Sequence, residues 1–296
     1  MITFAEIIEI FLSLLGPWRF MSSTLPFLFR TIVRLFAAGD YAILFSWRNL
    51  QEAWFSAFWM WFGPQLRQGR GPYITALLEG RVQDGKVVDV PVAPPVGGVI
   101  LDIGPGRGYW IDLYDKARVP IDKSNARISR VGGIRKVYGV EPNPDSHVAL
   151  SKRAKEIGLD GIYEVLPVGI ESVSKVGIDG GARTIEKGTV DCIVSVLCLC
   201  SIPEPEKNIA ELYGYLKKGG RWYLYEHVRT NAGPFMRLYQ AYVNLFWPVA
   251  LGGCQLCRDT ESHLRNAGPW ESINLAQPVE ELWHGTVPHI FGILTK

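Results

Sequence analysis

Two kinds of hydrophobic pattern divide this chain. Residues 1–62 carry wide apolar faces interrupted by polar residues at helical spacing, which predicts amphipathic helices. From residue 96 onward, short continuous apolar runs alternate with longer mixed segments, which is typical of buried parallel strands joined by helices. The predicted fold class is therefore α/β, a doubly wound, mostly parallel seven-stranded sheet with an apolar helical N-terminal extension.

The predicted strands are bounded by glycine, proline or charged residues. They are Val99–Ile103, Val137–Val140, Tyr163–Val168, Thr189–Cys198, Arg221–Val228, Trp270–Gln277 and Pro288–Leu294. The helices predicted among them are Tyr109–Ala117, Asp145–Ile157, Glu204–Lys217, Pro234–Gly253 and Thr260–Ala267. We expect Asn143 and Pro144 to begin the second helix and Gly219-Gly220 to end the third.

Three regions are predicted along the chain: a helical extension over 1–66, a transition segment over 67–95 and a main α/β domain over 96–296. Glycine-proline pairs at Gly16-Pro17 and Gly63-Pro64 are expected to stop the helices of the extension. The transition segment is predicted to hold one helix, Tyr73–Glu79. Lys116–Lys136 is basic and contains glycine, which predicts an inserted surface loop.

An aromatic stripe on the extension has two interpretations. Its members are spaced by three or four residues and would share one helical face: Trp47, Leu50, Trp54, Phe58 and Trp61. The stripe either packs on the main α/β domain or on a sister subunit as ordinary core, or lies on a membrane surface, with Arg19, Arg30 and Arg34 near anionic lipid. We favour the membrane surface. Charged residues interrupt every long apolar run, which disfavours a plain transmembrane anchor, and a cleaved signal peptide is not expected.

Composition and charge narrow the class of protein. The chain has 31 Lys and Arg against 29 Asp and Glu, a formal net charge of +2, so nucleic acid binding has little electrostatic support. Its five cysteines are an odd number, which does not match the disulfide framework of a small secreted protein. We therefore expect a reducing, intracellular setting.

A glycine loop is the first candidate for chemistry. Gly104, Gly106 and Gly108 follow the strand that ends at Ile103, and a helix is predicted after them. Such a loop allows the backbone to approach a ligand closely, as in nucleotide-binding α/β folds. Asp102 stands directly before the loop, and the spacing is G-x-G-x-G, whereas dinucleotide sites have G-x-G-x-x-G.

Glu141 is the second candidate. It follows the second strand, at the edge where this architecture receives the ribose hydroxyls of a nucleotide-like ligand. Gly169-Ile170 follow the third strand and are expected to pass the adenine edge. Glu226-His227 end the fifth strand, and a histidine there is suited to take a proton near neutral pH. A structural role for His227 is equally open.

These motifs together resemble those of class I S-adenosylmethionine (SAM) methyltransferases of the methyltransferase type 11 kind, most of all the methyltransferase-like 7 group of membrane-associated thiol methyltransferases. The matching segments are DIGPGRG at 102–108, VEPNP at 140–144, VDCIVSVLCLCSI at 190–202, LKKGGRWYLYEHV at 216–228, GCQLCR from 253 and PHIFGILTK at 288–296. They cover about two thirds of the chain in the expected order. Pro105 and Arg107 replace the Cys and Thr usual in the group.

The resemblance implies SAM as cofactor and methyl transfer to a small-molecule nucleophile by direct displacement, on a thiol or on an amine or hydroxyl of a metabolite. It implies that 96–296 is the methyltransferase domain and that the protein lies at the endoplasmic reticulum or lipid-droplet membrane. The implied cofactor contacts are Asp102, Gly104, Gly106, Gly108, Glu141, Gly169, Ile170, Ser195, Val196 and Leu197, and the candidate catalytic residues are His227 and Glu226. The alternative is a catalytically inactive SAM-fold module at a membrane, and a nicotinamide dehydrogenase is a distant third.

Three further features carry weaker signals. Cys254-x-x-Cys257 lacks a second pair of ligands, so no metal is predicted. His289 is expected to be a core histidine with its hydrogen bonds satisfied. Tyr239, Tyr242, Phe246 and Trp247 form an aromatic face at helical spacing, either core or a lid over an apolar acceptor.

Overall fold

The computed structural model describes residues 3–116, 133–178, 180–181 and 183–296. Most of the predicted insertion over 116–136 lies outside these residues. The described chain divides into two compact units. The helical unit contains the residues up to Leu66 together with His227–Asp259 and Glu280–Pro288, and the sheet unit contains the described parts of Arg67–Glu226 with Thr260–Val279 and His289–Lys296. The three regions predicted from composition stay a prediction.

A seven-stranded sheet forms the sheet unit. Its strands are β3 (Gly98–Ile103), β4 (Ile134–Val140), β5 (Tyr163–Leu166), β6 (Val190–Val196), β7 (Leu216–His227), β8 (Ser272–Ala276) and β9 (His289–Thr295), and a hairpin, β1 (Val82–Gln83) with β2 (Lys86–Val87), precedes them. The strand order is β5-β4-β3-β6-β7-β9-β8. The pairs from β5 across to β7 are parallel, and β8 is antiparallel to β9. This confirms the predicted fold class.

The position of β3 explains why its carboxyl end is the place for a site. It pairs with β4 on one side and with β6 on the other, and the strand order reverses direction there. In open α/β sheets, ligands bind at such a switch point, beyond the carboxyl ends of the strands. Ile100 and Leu101 are fully buried, as expected for a central parallel strand covered on both faces.

The helices of the sheet unit follow the prediction with shifted ends. They are α4 (Asp112–Lys116), α5 (Pro144–Glu156), α6 (Pro205–Tyr215) and α9 (Thr260–Arg265). The side chain of Asn143 accepts a hydrogen bond from the Asp145 amide and caps α5, with Pro144 in the first turn, as expected. The helix predicted from Tyr109 begins three residues later, after a turn.

The prediction for Gly219-Gly220 is wrong. Helix α6 ends at Tyr215 and β7 begins at Leu216, so both glycines lie within the strand. Val190 pairs with Leu216 and Cys192 pairs with Arg221, which leaves extra residues of β7 unpaired between the two pairs. Gly219 adopts a φ of +73° in this irregular stretch. The glycine pair therefore marks a bulge in a strand and does not end a helix.

The helical unit contains α1 (Phe4–Ala38), α2 (Tyr41–Leu44), the first part of α3 (Trp47–Leu78), α7 (Pro234–Asn244) and α8 (Trp247–Ala250). The predicted stops at Gly16-Pro17 and Gly63-Pro64 are wrong, because α1 and α3 continue through them. The separate helix expected from Tyr73 is the end of α3. A proline inside a helix costs about 3 kcal/mol, and packing around Pro17 offsets that cost. Pro17 itself is buried, and the neighbouring Trp18 donates a hydrogen bond to the Tyr239 hydroxyl over 2.8 Å.

The predicted aromatic stripe is buried only in its middle. Trp54 and Phe58 are buried, whereas Trp47 and Trp61 are about half exposed. Phe58 packs on Phe20 and Phe27 of α1, with ring centroids 5.5 and 5.7 Å apart. The middle of the stripe is therefore core within the helical unit, packed on α1, and packing on the main domain or on a sister subunit stays a prediction. Among the described residues, no helix is both long and apolar enough to cross a membrane.

Candidate functional site

A cleft opens at the carboxyl ends of β3 and β6, inside the sheet unit. Its walls are mostly apolar, and Asp102 is the charged residue among them. The lining residues are Ile74, Leu78, Asp102, Ile103, Gly104, Pro105, Trp110, Ile111, Val194 and Val196.

The beginning of the glycine loop, Gly104 and Pro105, lines this cleft. A Cβ on Gly104 would lie 2.6 Å from the Cβ of Cys198, so only glycine fits against the segment after β6. Gly106 has a φ of +56° and nothing within 4 Å of where its Cβ would lie. The backbone at Gly106 therefore faces open space that a ligand can fill.

Glu141 connects the glycine loop to the end of β4. One carboxylate oxygen accepts the amide of Gly106 over 2.8 Å, and the other accepts the amide of Asn143 over 2.8 Å. The side chain is buried, and desolvation raises the pKa of its carboxyl, while the two backbone hydrogen bonds act in the opposite direction. Each oxygen can accept a further hydrogen bond, because a carboxylate has about four acceptor positions. The arrangement suits a pair of hydroxyls.

Asp102 is held by two buried tyrosines. The Tyr163 hydroxyl donates to its Oδ2 over 2.8 Å, and Tyr114 also forms a side-chain hydrogen bond with it. Desolvation raises the pKa of Asp102 to about 7, and the two tyrosine hydrogen bonds oppose that change. The carboxyl is therefore able to gain or lose a proton near neutral pH.

Gly139 makes the contact between Tyr163 and Asp102 possible. It lies on β4, between β3 and β5, and pairs directly with Asp102. A Cβ at this position would be 2.4 Å from the Tyr163 hydroxyl oxygen. The tyrosine side chain of β5 thus crosses over a strand that has no side chain at the crossing point.

The other predicted cofactor contacts lie on neighbouring strand ends. Ser195 is fully buried and accepts a hydrogen bond from Trp222 over 3.0 Å, whereas Val196 lines the cleft. Leu197 has a left-handed φ of +55°. Gly169 precedes a 3₁₀ turn that begins at the buried Ile170. Their roles as cofactor contacts stay predictions.

Glu226 and His227 are adjacent in sequence but belong to different units. Glu226 is completely buried in the sheet unit, where its carboxylate accepts backbone amides of the segment after β6. His227 begins the second segment of the helical unit and lies beside Cys254, whose Sγ is 3.7 Å from its Nδ1. Their predicted catalytic role stays untested by this geometry.

Sequence reasoning missed several residues of the cleft. Tyr163 and Tyr114 had no motif to mark them, because their partner is separated from both in sequence. Trp110 and the end of α3 were also missed as cleft walls. Arg67 of α3 forms an ion pair with Asp112 at 2.8 Å and stacks over the Trp110 ring.

Two of the weaker predictions concern His289 and the aromatic face. His289 is half-buried and its ring stacks on Tyr225 at 4.8 Å. On the aromatic face, Trp247 is buried and Tyr242 is half exposed. Within the helical unit, Trp18 contacts Tyr242 at 5.5 Å, so this face belongs in part to the core.

Comparison with known proteins identifies the family. The family model described as "Methyltransferase domain" matches residues 84–265, more than half of the chain. The chain belongs to this family. The predicted class I SAM-dependent methyltransferase family, its fold and its SAM cofactor are therefore confirmed.

Two curated relatives are similar to part of the chain. Thiol S-methyltransferase TMT1B of Homo sapiens is 32% identical over 114 residues, covering 38% of this chain and 47% of the relative. The protein of the same name from Rattus norvegicus is 30% identical over 162 residues, covering 54% of this chain and 62% of the relative. The chain thus matches about half of the length of these relatives.

One solved structure in the comparison is geranyl diphosphate C-methyltransferase of Streptomyces coelicolor A3(2), in complex with Mg²⁺, geranyl diphosphate and S-adenosyl-L-homocysteine. It is 13% identical, with 78% of this chain and 80% of that chain covered and a TM-score of 0.48. A similarity at this level carries no functional argument.

Proposed function

We propose that this protein is a SAM-dependent methyltransferase that transfers the methyl group to a small-molecule nucleophile. The observation that carries the proposal is the joint placement of Glu141 and the glycine loop at the carboxyl edge of the sheet. One carboxylate there fixes the loop through Gly106 and still has acceptor capacity. The family assignment supports the same activity.

The residues present fit SAM. The space above Gly106 is open where a Cβ would point, and Glu141 can accept a ribose diol. Asp102 offers an ionisable carboxylate to a cationic group in an otherwise apolar cleft. Ile74, Leu78 and the ends of β3 and β6 would enclose the remaining parts of the cofactor.

When bound, SAM supplies an electrophilic methyl group on a sulfonium centre. The protein then has to align the two reactants and exclude water, and alignment alone is worth about 10⁵ to 10⁸ M in effective concentration. The apolar walls of the cleft exclude water, and Glu141 and the glycine loop fix the orientation. Asp102 balances positive charge when it is ionised.

We include a thiol acceptor in the proposal because of the named relatives. The named relatives are thiol S-methyltransferases. A thiol with a pKa of about 8.5 already provides some thiolate at neutral pH and needs no dedicated base. An amine or hydroxyl acceptor would need a proton acceptor, and His227 is the candidate for that role.

The test is SAM binding by calorimetry, followed by transfer of labelled methyl to a panel of thiols, amines and phenols. We expect SAM binding that is lost in Glu141→Ala and retained in Glu211→Ala, a control at an exposed surface ion pair. Transfer to a thiol supports the proposed acceptor class. Binding without transfer to any acceptor class favours the inactive module, and a lack of SAM binding by the wild type refutes both.

We also propose that the helical unit lies on a membrane surface. The observation that supports this is that α1 buries polar side chains and exposes apolar ones. Its buried face includes the polar Thr24 and Thr31, whereas Phe4, Phe11 and Phe29 are 78%, 61% and 70% exposed on the other side. A surface helix of a soluble protein buries its apolar face and exposes its polar face. Such a face favours the boundary between lipid headgroups and acyl chains.

A second apolar face belongs to the same unit. On α7 and the turn after it, the large side chains of Phe235, Leu238, Tyr242 and Leu245 are half exposed or more. Fully transferring one such side chain from water is worth about 1.5–3 kcal/mol. Several of them on one unit therefore favour binding to a lipid surface.

Flotation with vesicles of phosphatidylcholine and phosphatidylserine tests this second proposal. The full chain is expected to float with the vesicles, and Phe29→Asp is expected to float at least about tenfold less well. Ser22→Asp is the matched control, because Ser22 is also exposed on α1 but is polar. A wild-type chain that stays monomeric without detergent and does not float contradicts the proposal.

A further inference from the structure

The carboxylate of Glu226 binds the segment after β6, inside the sheet unit. Its Oε2 accepts the backbone amides of Cys198 and Leu199 over 3.0 and 3.1 Å. Its Oε1 lies 3.4 Å from the Sγ of Cys198, which donates to it. The side chain is fully buried. Burial raises the pKa of the Cys198 thiol, so that group stays protonated and remains a donor.

The backbone before these amides has an uncommon conformation. Leu197 has a φ of +55°, which is left-handed and rare for a residue with a side chain. Its own amide still donates to the Tyr225 carbonyl over 2.8 Å, as the last contact between β6 and β7. After Leu197 the chain turns, and two successive amides then point toward one oxygen. Successive amides arranged in this way form an anion-binding concavity, which Glu226 fills.

The turned segment forms part of the wall of the cleft. The Cβ of Cys198 occupies space that a side chain at Gly104 would need, at 2.6 Å. Val196, two residues earlier, lines the cleft together with Gly104. The segment held by Glu226 is therefore pressed against the first glycine of the loop.

We propose that Glu226 is a positioning residue, which holds the segment 196–199 against the glycine loop and so sets the shape of the cofactor cleft. This inference rests on the proposed function for its consequence on SAM binding. It assigns Glu226 no proton transfer.

The geometry predicts that glutamine in place of Glu226 keeps the hydrogen bonds to the segment after β6. Because both amides bind to one oxygen of Glu226, the carbonyl of Glu226→Gln can keep them, and its NH₂ group can face the Cys198 sulfur. Alanine removes the oxygen that accepts both amides, and the loss of two hydrogen bonds to a charged group is costly. If Glu226 were a general acid or base, Glu226→Gln would lose turnover as Glu226→Ala does, since glutamine cannot transfer a proton.

The experiment compares Glu226→Gln and Glu226→Ala in the full chain. Hydrogen exchange of the Cys198 and Leu199 amides is measured without SAM, and then the SAM Kd and the single-turnover rate at saturating SAM are measured across pH. We expect Glu226→Gln to keep amide protection and the SAM Kd within about threefold of the wild type. Its single-turnover rate should depend on pH as that of the wild type does. We expect Glu226→Ala to lose protection and to weaken SAM binding by about tenfold or more.

Two results overturn the inference. One is a glutamine variant with normal amide protection and normal Kd that has lost turnover, which would make Glu226 a proton-transfer group. The other is an alanine variant that is folded and has unchanged amide protection. The exchange measurement needs no cofactor, so it judges the positioning role even if the wild type fails to bind SAM and the proposed function fails.

Discussion

Replacing Tyr163 with phenylalanine should move the ionisation of Asp102 to higher pH. Asp102 has its pKa raised from 3.8 to about 7 because it is buried, and the Tyr163 hydroxyl is one of two groups that stabilise its charged form. A hydrogen bond to a charged group contributes about 1.5–3 kcal/mol. At about 1.4 kcal/mol per pH unit, Tyr163→Phe should raise the pKa of Asp102 by about one to two pH units.

The sign of the stability effect follows from the direction of the change in pKa. Asp102 has a higher pKa in the folded protein than in the unfolded chain, so its contribution to stability is complete below about pH 3.8 and is lost as pH rises through about 7. The difference between these values corresponds to about 4 kcal/mol in the free energy of unfolding. Stability should therefore fall between about pH 4 and pH 7 and level off above that, apart from the contributions of other groups.

Urea unfolding measured at a series of pH values is the assay. The wild type should show an inflection near pH 7 that is absent in Asp102→Asn, and in Tyr163→Phe that inflection should lie about one to two pH units higher. Tyr213→Phe is the matched control, because it removes a hydrogen bond to the Pro269 carbonyl and does not involve Asp102. An inflection in Tyr163→Phe that is unmoved or lies at lower pH refutes the reasoning.

Three further predictions follow from contacts at the sheet. Gly139→Ala should lower the free energy of unfolding by about 1–3 kcal/mol, because its Cβ would lie 2.4 Å from the Tyr163 hydroxyl oxygen. The double variant Gly139→Ala with Tyr163→Phe should recover part of this loss, as measured by thermal melts. Glu141→Gln should weaken SAM binding in calorimetry by about tenfold or more, because its NH₂ group would face a backbone amide. Asp191→Asn should lower the free energy of unfolding by about 1–3 kcal/mol without changing the SAM Kd, because Asp191 binds Lys217 and the Val99 amide at the opposite end of β3.

The fold and the two main carboxylates were predictable from sequence for a simple reason. Mostly apolar runs such as Val190–Val196 are typical of strands that are buried on both faces in a parallel sheet. Carboxyl ends of parallel strands share one edge, so Asp102 and Glu141 had to lie near each other. Neither conclusion depends on the register of the strands.

The tyrosine contact depends on register and could not be predicted. Tyr163 reaches Asp102 only because β4 presents a glycine at the crossing point, opposite Asp102. A shift of one residue would place a side chain there and turn the next residues to the other face. The prolines of α1 and the glycines of β7 were misjudged for a related reason. Their local preference is known from sequence, but the packing that overrides it is not.

The two carboxylates beside the glycine loop are both buried, yet they should respond differently to pH and to mutation. Glu141 is stabilised by two backbone amides, which stay protonated throughout the ordinary pH range and which no side-chain substitution removes. Asp102 depends on tyrosine side chains. A cationic ligand in the cleft favours the ionised form of Asp102, so the affinity for SAM should rise with pH through about 7 and the binding should release a proton there. This dependence near pH 7 should disappear in Asp102→Asn, which has no ionisable side chain at that position.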